Sequence, residues 1–232
     1  MENPKDSGVN QNKICTEILT TPSNSWTEIL AAASGDIRRM SYTDRYTTVP
    51  ILIRENVAEH SYWVSLFSMM IHRHLDSMTG SENGMLASIL SFALIHDTVE
   101  CASGDLVRTF KYMTPELKAA VDIAEDKIKD KLPLSIQDLF EIPAVYLPSD
   151  GNMEYVKSVV KLADFMSLFT YMNREVLRGN QEIHPFVRRM EVDLKAEYQK
   201  ALINKNERIS LMSGMYMLMA DNAFTFFPAR II

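Results

Sequence analysis

Residues 85–104, MLASILSFALIHDTVECASG, decide the fold of this chain. Apolar side chains surround most of the segment, which predicts a helix from Met85 to about Cys101 in the centre of the protein. Ser103-Gly104 is a typical helix end. The chain is therefore expected to wrap other helices around this one.

Three polar residues interrupt the apolar pattern near the end of this segment. His96, Asp97 and Glu100 are three and four residues apart, so we expect them to share one sector of the helix. Burying such a group is costly unless something compensates it, and a divalent cation would do so directly. His60 and Asp164, on two other predicted helices, would complete a set of two imidazoles and two carboxylates, which suits a hydrolytic transition metal.

The remaining sequence also has helical periodicity. Capping patterns or proline mark the helix starts at Ser25, Asn56 and Thr114. Residues 41–55 read as an extended loop, and we find no alternating pattern, internal repeat or βαβ rhythm. These observations predict an all-α fold, a compact multi-helix bundle with the metal site in its centre. The further helices are expected over about 56–75, 114–128, 153–177, 185–204 and 209–222.

Length and composition limit the classes of protein. The 232 residues suffice for one sizeable domain, which we place at 25–232 after a tail and short lead-in helix at 1–24. The net charge of −6 argues against a nucleic-acid partner. Two cysteines, Cys15 and Cys101, point to a reducing compartment. We find no signal peptide and expect no apolar run long enough to span a bilayer, so we predict a cytoplasmic protein without a membrane partner.

The order Glu59-His60, His96-Asp97 and Asp164 on an all-α chain resembles the H…HD…D signature of the HD-domain phosphohydrolases. The resemblance is closer to one branch, the YfbR-type 5′-deoxynucleotidases, and covers about residues 25–200. Three groups of segments carry it: Arg45-Tyr46 with 54–61 (RENVAEHS); 96–100 (HDTVE) with Gly104-Asp105 and Lys111-Tyr112; and 160–164 (VKLAD).

The resemblance implies one divalent metal ion per chain, which could be cobalt, manganese, zinc or nickel. Glu100 would be the general acid or base, with Asp105 close by, and Arg45 would clasp the 5′-phosphate. Tyr46 stands where the family usually has a tryptophan that packs on the nucleoside, which leaves the sugar and base preference open. The implied metal ligands are His60, His96, Asp97 and Asp164.

Other cations and aromatic residues have weaker signals. Lys111 and Lys161 are candidates for phosphate oxygens, or they extend to solvent. His72 and His74 are expected to be exposed at a helix end. The run Phe224–Phe227 is too apolar for a free tail, and we expect it to pack on the domain or on a second subunit. The related nucleotidases form dimers, which implies a homodimer or a higher homo-oligomer here.

Three functions stay open from the sequence. The leading one is hydrolysis of 2′-deoxynucleoside 5′-monophosphates. The second, implied by related viral proteins, is a triphosphohydrolase of the dATP type that releases deoxynucleoside and tripolyphosphate. The third is a catalytically silent module that binds a nucleotide.

Overall fold

Helices supply the regular structure of the part of the chain that the computed structural model describes, which is residues 30, 36–80, 85–134, 136–137, 139–140 and 150–223. A 3-10 helix (Asp36–Ser41) comes first, and a second (Gln181–Ile183) links α6 to α7. These residues contain no β-strand, only the isolated bridge between Asp44 and Asn56. The all-α prediction is confirmed. The α-helices are α1 (Val57–Thr79), α2 (Met85–Ile95), α3 (Glu100–Ser103), α4 (Arg108–Lys111), α5 (Pro115–Lys129), α6 (Asp150–Leu177), α7 (His184–Leu202), α8 (Glu207–Leu211) and α9 (Ser213–Asp221).

The main core lies between α1, α2 and α6, which pack against one another, and it continues to α7 and α9. Val64, Ile89 and Val159 are fully buried at the centre of this contact. A smaller apolar cluster around Val57 and Cys101 joins the start of α1 to α3. This arrangement brings α1, the end of α2 and α6 into contact, and these elements carry the predicted metal ligands.

The predicted helix start at Asn56 is confirmed, and its chemistry places the first turn of α1. The Asn56 side chain accepts from the Glu59 amide (2.9 Å), and the Glu59 carboxylate accepts from the Asn56 amide (3.3 Å). This reciprocal capping box satisfies two amides that the helix leaves unpaired. The helix ends at Thr79, about one turn later than its periodicity predicts.

The prediction of one continuous helix from Met85 to about Cys101 is wrong. Helix α2 ends at Ile95, and residues 96–99 form a turn before α3 begins at Glu100. In this turn the amide of Thr98 donates to Ile95 O (2.9 Å) and that of Glu100 to Asp97 O (3.0 Å). These three-residue bonds tighten the backbone where the polar residues lie.

His72 is also a correction, because it is buried rather than exposed. The residue is 2% exposed, and its ring faces α6, where Nδ1 lies 3.0 Å from the Tyr155 hydroxyl. Its Nε2 lies 3.4 Å from the Asp76 carboxylate. His74, on the other side of α1, is exposed as expected.

The segment Met85–Ser103 meets the length and composition expected of a membrane-spanning helix, contrary to the sequence expectation. The core helix of a globular domain passes the same test, and 44% of the segment is buried inside the protein. The predicted helix start at Ser25, the domain boundary at residue 25 and the run Phe224–Phe227 lie outside the described residues.

Candidate metal centre and substrate cavity

His60 lies in the first turn of α1, directly after the capping box. Its amide donates to the Asn56 carbonyl (3.0 Å), and its ring is fully buried. Ring atom Nδ1 lies 3.2 Å from Ser167 Oγ on α6. With a proton on Nδ1 for this bond, the Nε2 lone pair is available to a metal ion.

His96 and Asp97 lie in the turn between α2 and α3. His96 Nδ1 donates to the Ala93 carbonyl (2.7 Å), which turns Nε2 toward His60 and α6. Asp164 faces them from α6, where the neighbouring Ala163 is fully buried in the core.

The four predicted metal ligands come together in space. His60 Nε2 lies 3.1 Å from Asp164 Oδ1 and 3.5 Å from Asp97 Oδ2. His96 Nε2 lies 3.2 Å from Asp97 Oδ2. One ligand atom each from His60, His96 and Asp164 lies within 4.8 Å of the other two.

The chemistry of these atoms fits a divalent cation. The Nε2 atoms of His60 and His96 are buried and have no hydrogen-bond partner among the described residues. A buried imidazole nitrogen without a partner is costly, and a metal ion satisfies it. Two nitrogen and two carboxylate donors are a ligand set that zinc, manganese, cobalt and nickel accept.

The charges of this cluster shift the pKa values of its members. Burial alone would lower the pKa of His96, but the carboxylates of Asp97 and Asp164 raise it to about 9. Burial and the Arg45 guanidinium lower the pKa of His60, so this ring is neutral at pH 7. The adjacent imidazoles hold the pKa values of Asp97 and Asp164 below their ordinary range despite burial.

Arg45 lies against this cluster, on the loop of residues 42–56 that precedes α1. Its Nη1 donates to Asp97 Oδ2 (3.0 Å), and its Nε lies 3.9 Å from Glu55 Oε1. Its backbone amide donates to the Glu55 carbonyl (2.9 Å). The guanidinium is therefore within reach of an anion bound beside Asp97.

Tyr46 has an unusual backbone conformation, with φ of 60°. Its amide donates to Asp105 Oδ2 (2.9 Å), so the carboxylate of Asp105 supports this strained residue. Its ring stacks on Tyr171, with centroids 4.6 Å apart and planes at 20°. One face of the predicted nucleoside-stacking ring is thus already covered by Tyr171.

Glu100 begins α3 close to the predicted metal ligands. Its Oε2 is buried and has no hydrogen-bond partner among the described residues. Burial and the neighbouring carboxylates of Asp97 and Asp105 raise its pKa to about 9. Without a metal ion, Glu100 therefore holds a proton at neutral pH.

A cavity of about 240 Å³ opens beside Arg45 and Asp164. Its walls are mostly apolar, and Leu168, Met172 and Phe186 form part of them. A larger cavity, of about 650 Å³, is lined in part by Glu55 and Tyr171 and by none of the four metal-ligand candidates. Of these two cavities, the smaller one is lined by Asp164.

The structure does not bring Lys111 and Lys161 to this cluster. Lys111 Nζ pairs with Glu125 (2.6 Å) and Lys161 Nζ with Glu197 (2.7 Å). Neither lysine lines the cavity beside Asp164. A phosphate-binding role for them stays a prediction that these contacts do not favour.

Three residues that contact the site or its loop were not predicted from the sequence. Ser167 follows Asp164 by three residues, and this helical spacing could have indicated that both face His60. Glu55 lies inside the quoted motif and approaches His60 Nδ1 to 3.8 Å. Glu175 binds the loop 42–56 through its carboxylate, and nothing in its sequence context indicated this.

Comparisons with known proteins agree with this geometry. A model of the family "5′-deoxynucleotidase YfbR-like" matches residues 34–204. The 5′-deoxynucleotidase YfbR of Shigella boydii is 28% identical over 164 residues, which are 69% of this chain and 80% of the relative. YfbR of Escherichia coli is 29% identical with the same coverage.

Solved structures show the same fold at lower identity. An HD-domain phosphohydrolase of Listeria innocua has a TM-score of 0.58 at 18% identity, over 83% of this chain and 98% of that one. The cyanophage S-2L HD phosphohydrolase DatZ, solved with dA and one catalytic Zn²⁺ ion, has a TM-score of 0.52 at 19% identity, over 81% and 95%.

The family model spans most of the chain, including the His60, His96-Asp97 and Asp164 segments whose side chains converge. The chain therefore belongs to the YfbR-like 5′-deoxynucleotidase family and is a metal-dependent hydrolase.

Proposed function

We propose that the protein hydrolyses 2′-deoxynucleoside 5′-monophosphates to deoxynucleosides and orthophosphate. The observation that carries this proposal is the meeting of His60, His96, Asp97 and Asp164, with two unpartnered Nε2 atoms, beside Arg45. We propose these four residues as the ligands of one divalent cation. A bound cation would supply Lewis-acid chemistry, by activating water and neutralising phosphoryl charge.

The chain's own residues would bind the substrate and move its protons. Arg45 would donate its planar pair of N–H groups to two phosphate oxygens. Glu100, whose pKa burial and the neighbouring carboxylates raise to about 9 in the metal-free protein, would donate a proton to the leaving 5′ oxygen of the deoxyribose. Tyr46 and Phe186 would enclose the nucleoside in the cavity beside Asp164. Asp105 would hold the Tyr46 backbone rather than contact the reacting atoms.

The size and charge of the cavity support a monophosphate substrate. Its volume of about 240 Å³ is below the ~300–1,000 Å³ of most small-molecule sites. Its charged lining consists of two arginines and three aspartates, so it offers little positive charge to a longer phosphate chain. The lining residues concerned are Arg45, Arg189, Asp105, Asp164 and Asp193.

The decisive experiment is a panel of deoxy- and ribonucleoside mono- and triphosphates, each assayed with zinc, manganese, cobalt and nickel. We expect orthophosphate from deoxynucleoside monophosphates. Tripolyphosphate from a deoxynucleoside triphosphate would instead establish the alternative triphosphohydrolase. A protein that binds metal and nucleotide but releases no phosphate would be the silent module.

An Asp97→Ala variant tests the ligand assignment in the same assay. The variant should lose turnover and should also lose the bound metal, which we expect at about one ion per chain in the wild type, because a ligand and its charge are removed. Asp122→Ala is the matched control, since Asp122 is a carboxylate on α5 that forms an ion pair with Lys118.

We also propose a homodimer, as the resemblance implies. An apolar groove of about 510 Å³ between α1, α6 and α9 supports an association surface, because Met70, Met78 and Leu218 are about half exposed there. Sedimentation equilibrium of the full chain tests this proposal, and a monomer at micromolar concentration contradicts it. The cytoplasmic location stays a prediction.

A further inference from the structure

Glu175 is a buried carboxylate near the end of α6 that binds the backbone of the loop 42–56. Its side chain has no exposed surface. Oε2 accepts from the Leu52 amide (2.8 Å), and Oε1 accepts from the Ile53 amide (2.7 Å). Both oxygens of one side chain therefore hold two successive amides of a loop more than 120 residues away in sequence.

Two further side chains complete this contact. Asn180 Nδ2 donates to Glu175 Oε2 (2.6 Å) and to the Pro50 carbonyl (2.7 Å). The Tyr171 hydroxyl donates to the Ile53 carbonyl (2.6 Å). We call Tyr171, Glu175 and Asn180 the loop clasp.

The clasp holds the loop through charge as well as shape. No lysine, arginine or histidine of the described residues lies within ion-pair distance of Glu175. Its two carboxylate oxygens accept from three N–H donors, two of which belong to the loop. A buried carboxylate is costly without such donors, so departure of the loop from this position would leave Glu175 without two of its partners.

The clasp and the metal centre share one helix. Asp164, Tyr171 and Glu175 are seven and four residues apart, so they lie on one face of α6, within about 16 Å along its axis. Tyr171 connects the two regions directly, because its hydroxyl binds Ile53 while its ring stacks on Tyr46. The loop that the clasp holds also carries Arg45.

We infer that Glu175 is a positioning residue for substrate binding. Through Leu52 and Ile53 it fixes the loop 42–56 so that Arg45 and Tyr46 face the metal ligands. This inference rests on the proposed function, because it assigns the loop to the deoxynucleotide. Glu175 itself neither binds the metal nor takes part in the chemical step.

Glu175→Gln is the first test variant. The glutamine keeps the shape, but its amide group points a donor at a backbone donor or at Asn180. With a deoxynucleoside monophosphate, KM should rise at least ~10-fold while kcat changes less, because charged hydrogen bonds of this kind are lost. Metal content should stay equal to wild type, and the Leu52 and Ile53 amides should exchange hydrogen faster.

Tyr171→Phe is the second variant and keeps the ring stack on Tyr46. It removes only the hydroxyl that donates to Ile53, so it should raise KM in the same direction by a smaller factor. Tyr171→Phe also tests the inference if the Glu175→Gln variant does not fold.

Arg208→Lys is the control for stability. Arg208 is a buried charged residue that binds Asp76 (3.0 Å) and Thr79 (2.9 Å) at the far end of α1, away from the loop. If Arg208→Lys lowers the thermal stability about as much as Glu175→Gln does, it should still keep the wild-type KM. The amides of Leu52 and Ile53 should also exchange hydrogen at the wild-type rate.

Three results would overturn the inference. They are loop amides of Glu175→Gln that exchange no faster than in wild type, an equal rise of KM in Arg208→Lys, and loss of metal in Glu175→Gln. If the wild-type protein releases no phosphate from any deoxynucleotide, the proposed function fails, and hydrogen exchange alone still decides whether Glu175 holds the loop.

Discussion

At the scale of single residues, each histidine of the candidate metal centre is oriented by one neighbour. The Ala93 carbonyl accepts from His96 Nδ1, and Ser167 Oγ pairs with His60 Nδ1. Fixing Nδ1 determines which nitrogen faces the metal, and such outer contacts tune metal affinity. The residue types of the ligands were recognisable in the sequence, but the partner of His60 was not.

Ser167→Ala should weaken metal binding without abolishing it. The variant removes the hydroxyl that orients His60, and losses of such contacts typically cost ~10–100-fold in affinity. Competition with a fluorescent chelator measures the effect. Ser88→Ala is the matched control, because Ser88 is equally buried and lies in α2 away from the ligands; equal affinities in the two variants would contradict the prediction.

Metal binding should depend on pH through His96. Its pKa of about 9 without metal means that a proton must leave Nε2 before the ion can bind. Apparent affinity should therefore fall as the pH drops below about 9, with proton release on binding. His60 should contribute little above pH 7 because its pKa is lowered. Calorimetry in buffers of different ionisation enthalpy measures both the affinity for the metal and the protons released. A metal affinity that is constant between about pH 6 and 9 would contradict the prediction.

Glu100→Gln should keep the metal and lose turnover. The amide cannot donate the proton that we assign to Glu100, and general acid catalysis is typically worth ~10²–10⁴-fold. Steady-state kinetics with metal analysis of the same sample measures both quantities. Turnover near the wild-type value would remove Glu100 from the mechanism.

At the scale of elements, the ends of helices place the chemistry. The capping box at the start of α1 ends at Glu59, directly before His60. Helix α2 ends at Ile95, directly before the turn that contains His96 and Asp97. The cap was predictable because it depends on residues three positions apart. The early end of α2 was not, because apolar periodicity continues through Val99 while the side chain of His96 binds the Ala93 carbonyl.

Asn56→Ala should destabilise the protein by about 1 kcal/mol, because the Glu59 amide loses its acceptor. Asn56→Gly should lower the free energy of unfolding by only about a few tenths of a kcal/mol. Urea unfolding with equal m-values measures the free energies of unfolding. A free energy of unfolding for Asn56→Ala equal to that of the wild type would contradict the prediction.

At the scale of the whole molecule, the packing of α1, α2 and α6 assembles a site from segments that are over 100 residues apart. Two histidines and two aspartates pressed together without a cation leave unpartnered nitrogens in the interior. The metal-free protein is therefore expected to be less stable than the metal-bound one.

A divalent ion at ~100 times its Kd should raise Tm by roughly 5–10 °C, from the linkage of binding to folding and the size of the chain. Differential scanning calorimetry with and without chelator measures the shift. Asp164→Ala should show no comparable shift, and an equal shift in that variant would mean that the ion binds elsewhere.

The sequence by itself determined the all-α class and most helix starts, and its resemblance to a known family indicated the residues that meet at the candidate metal centre. The class and the helix starts depend on periodicity and on caps within one turn, both of which are local. Only the tertiary structure decided that Lys111 and Lys161 pair with glutamates, that His72 is buried, and that Glu175 holds the loop 42–56. The physical reason is that an ion pair, a buried ring or a buried carboxylate depends on which distant side chain packing brings within about 3 Å, and no local pattern encodes that choice.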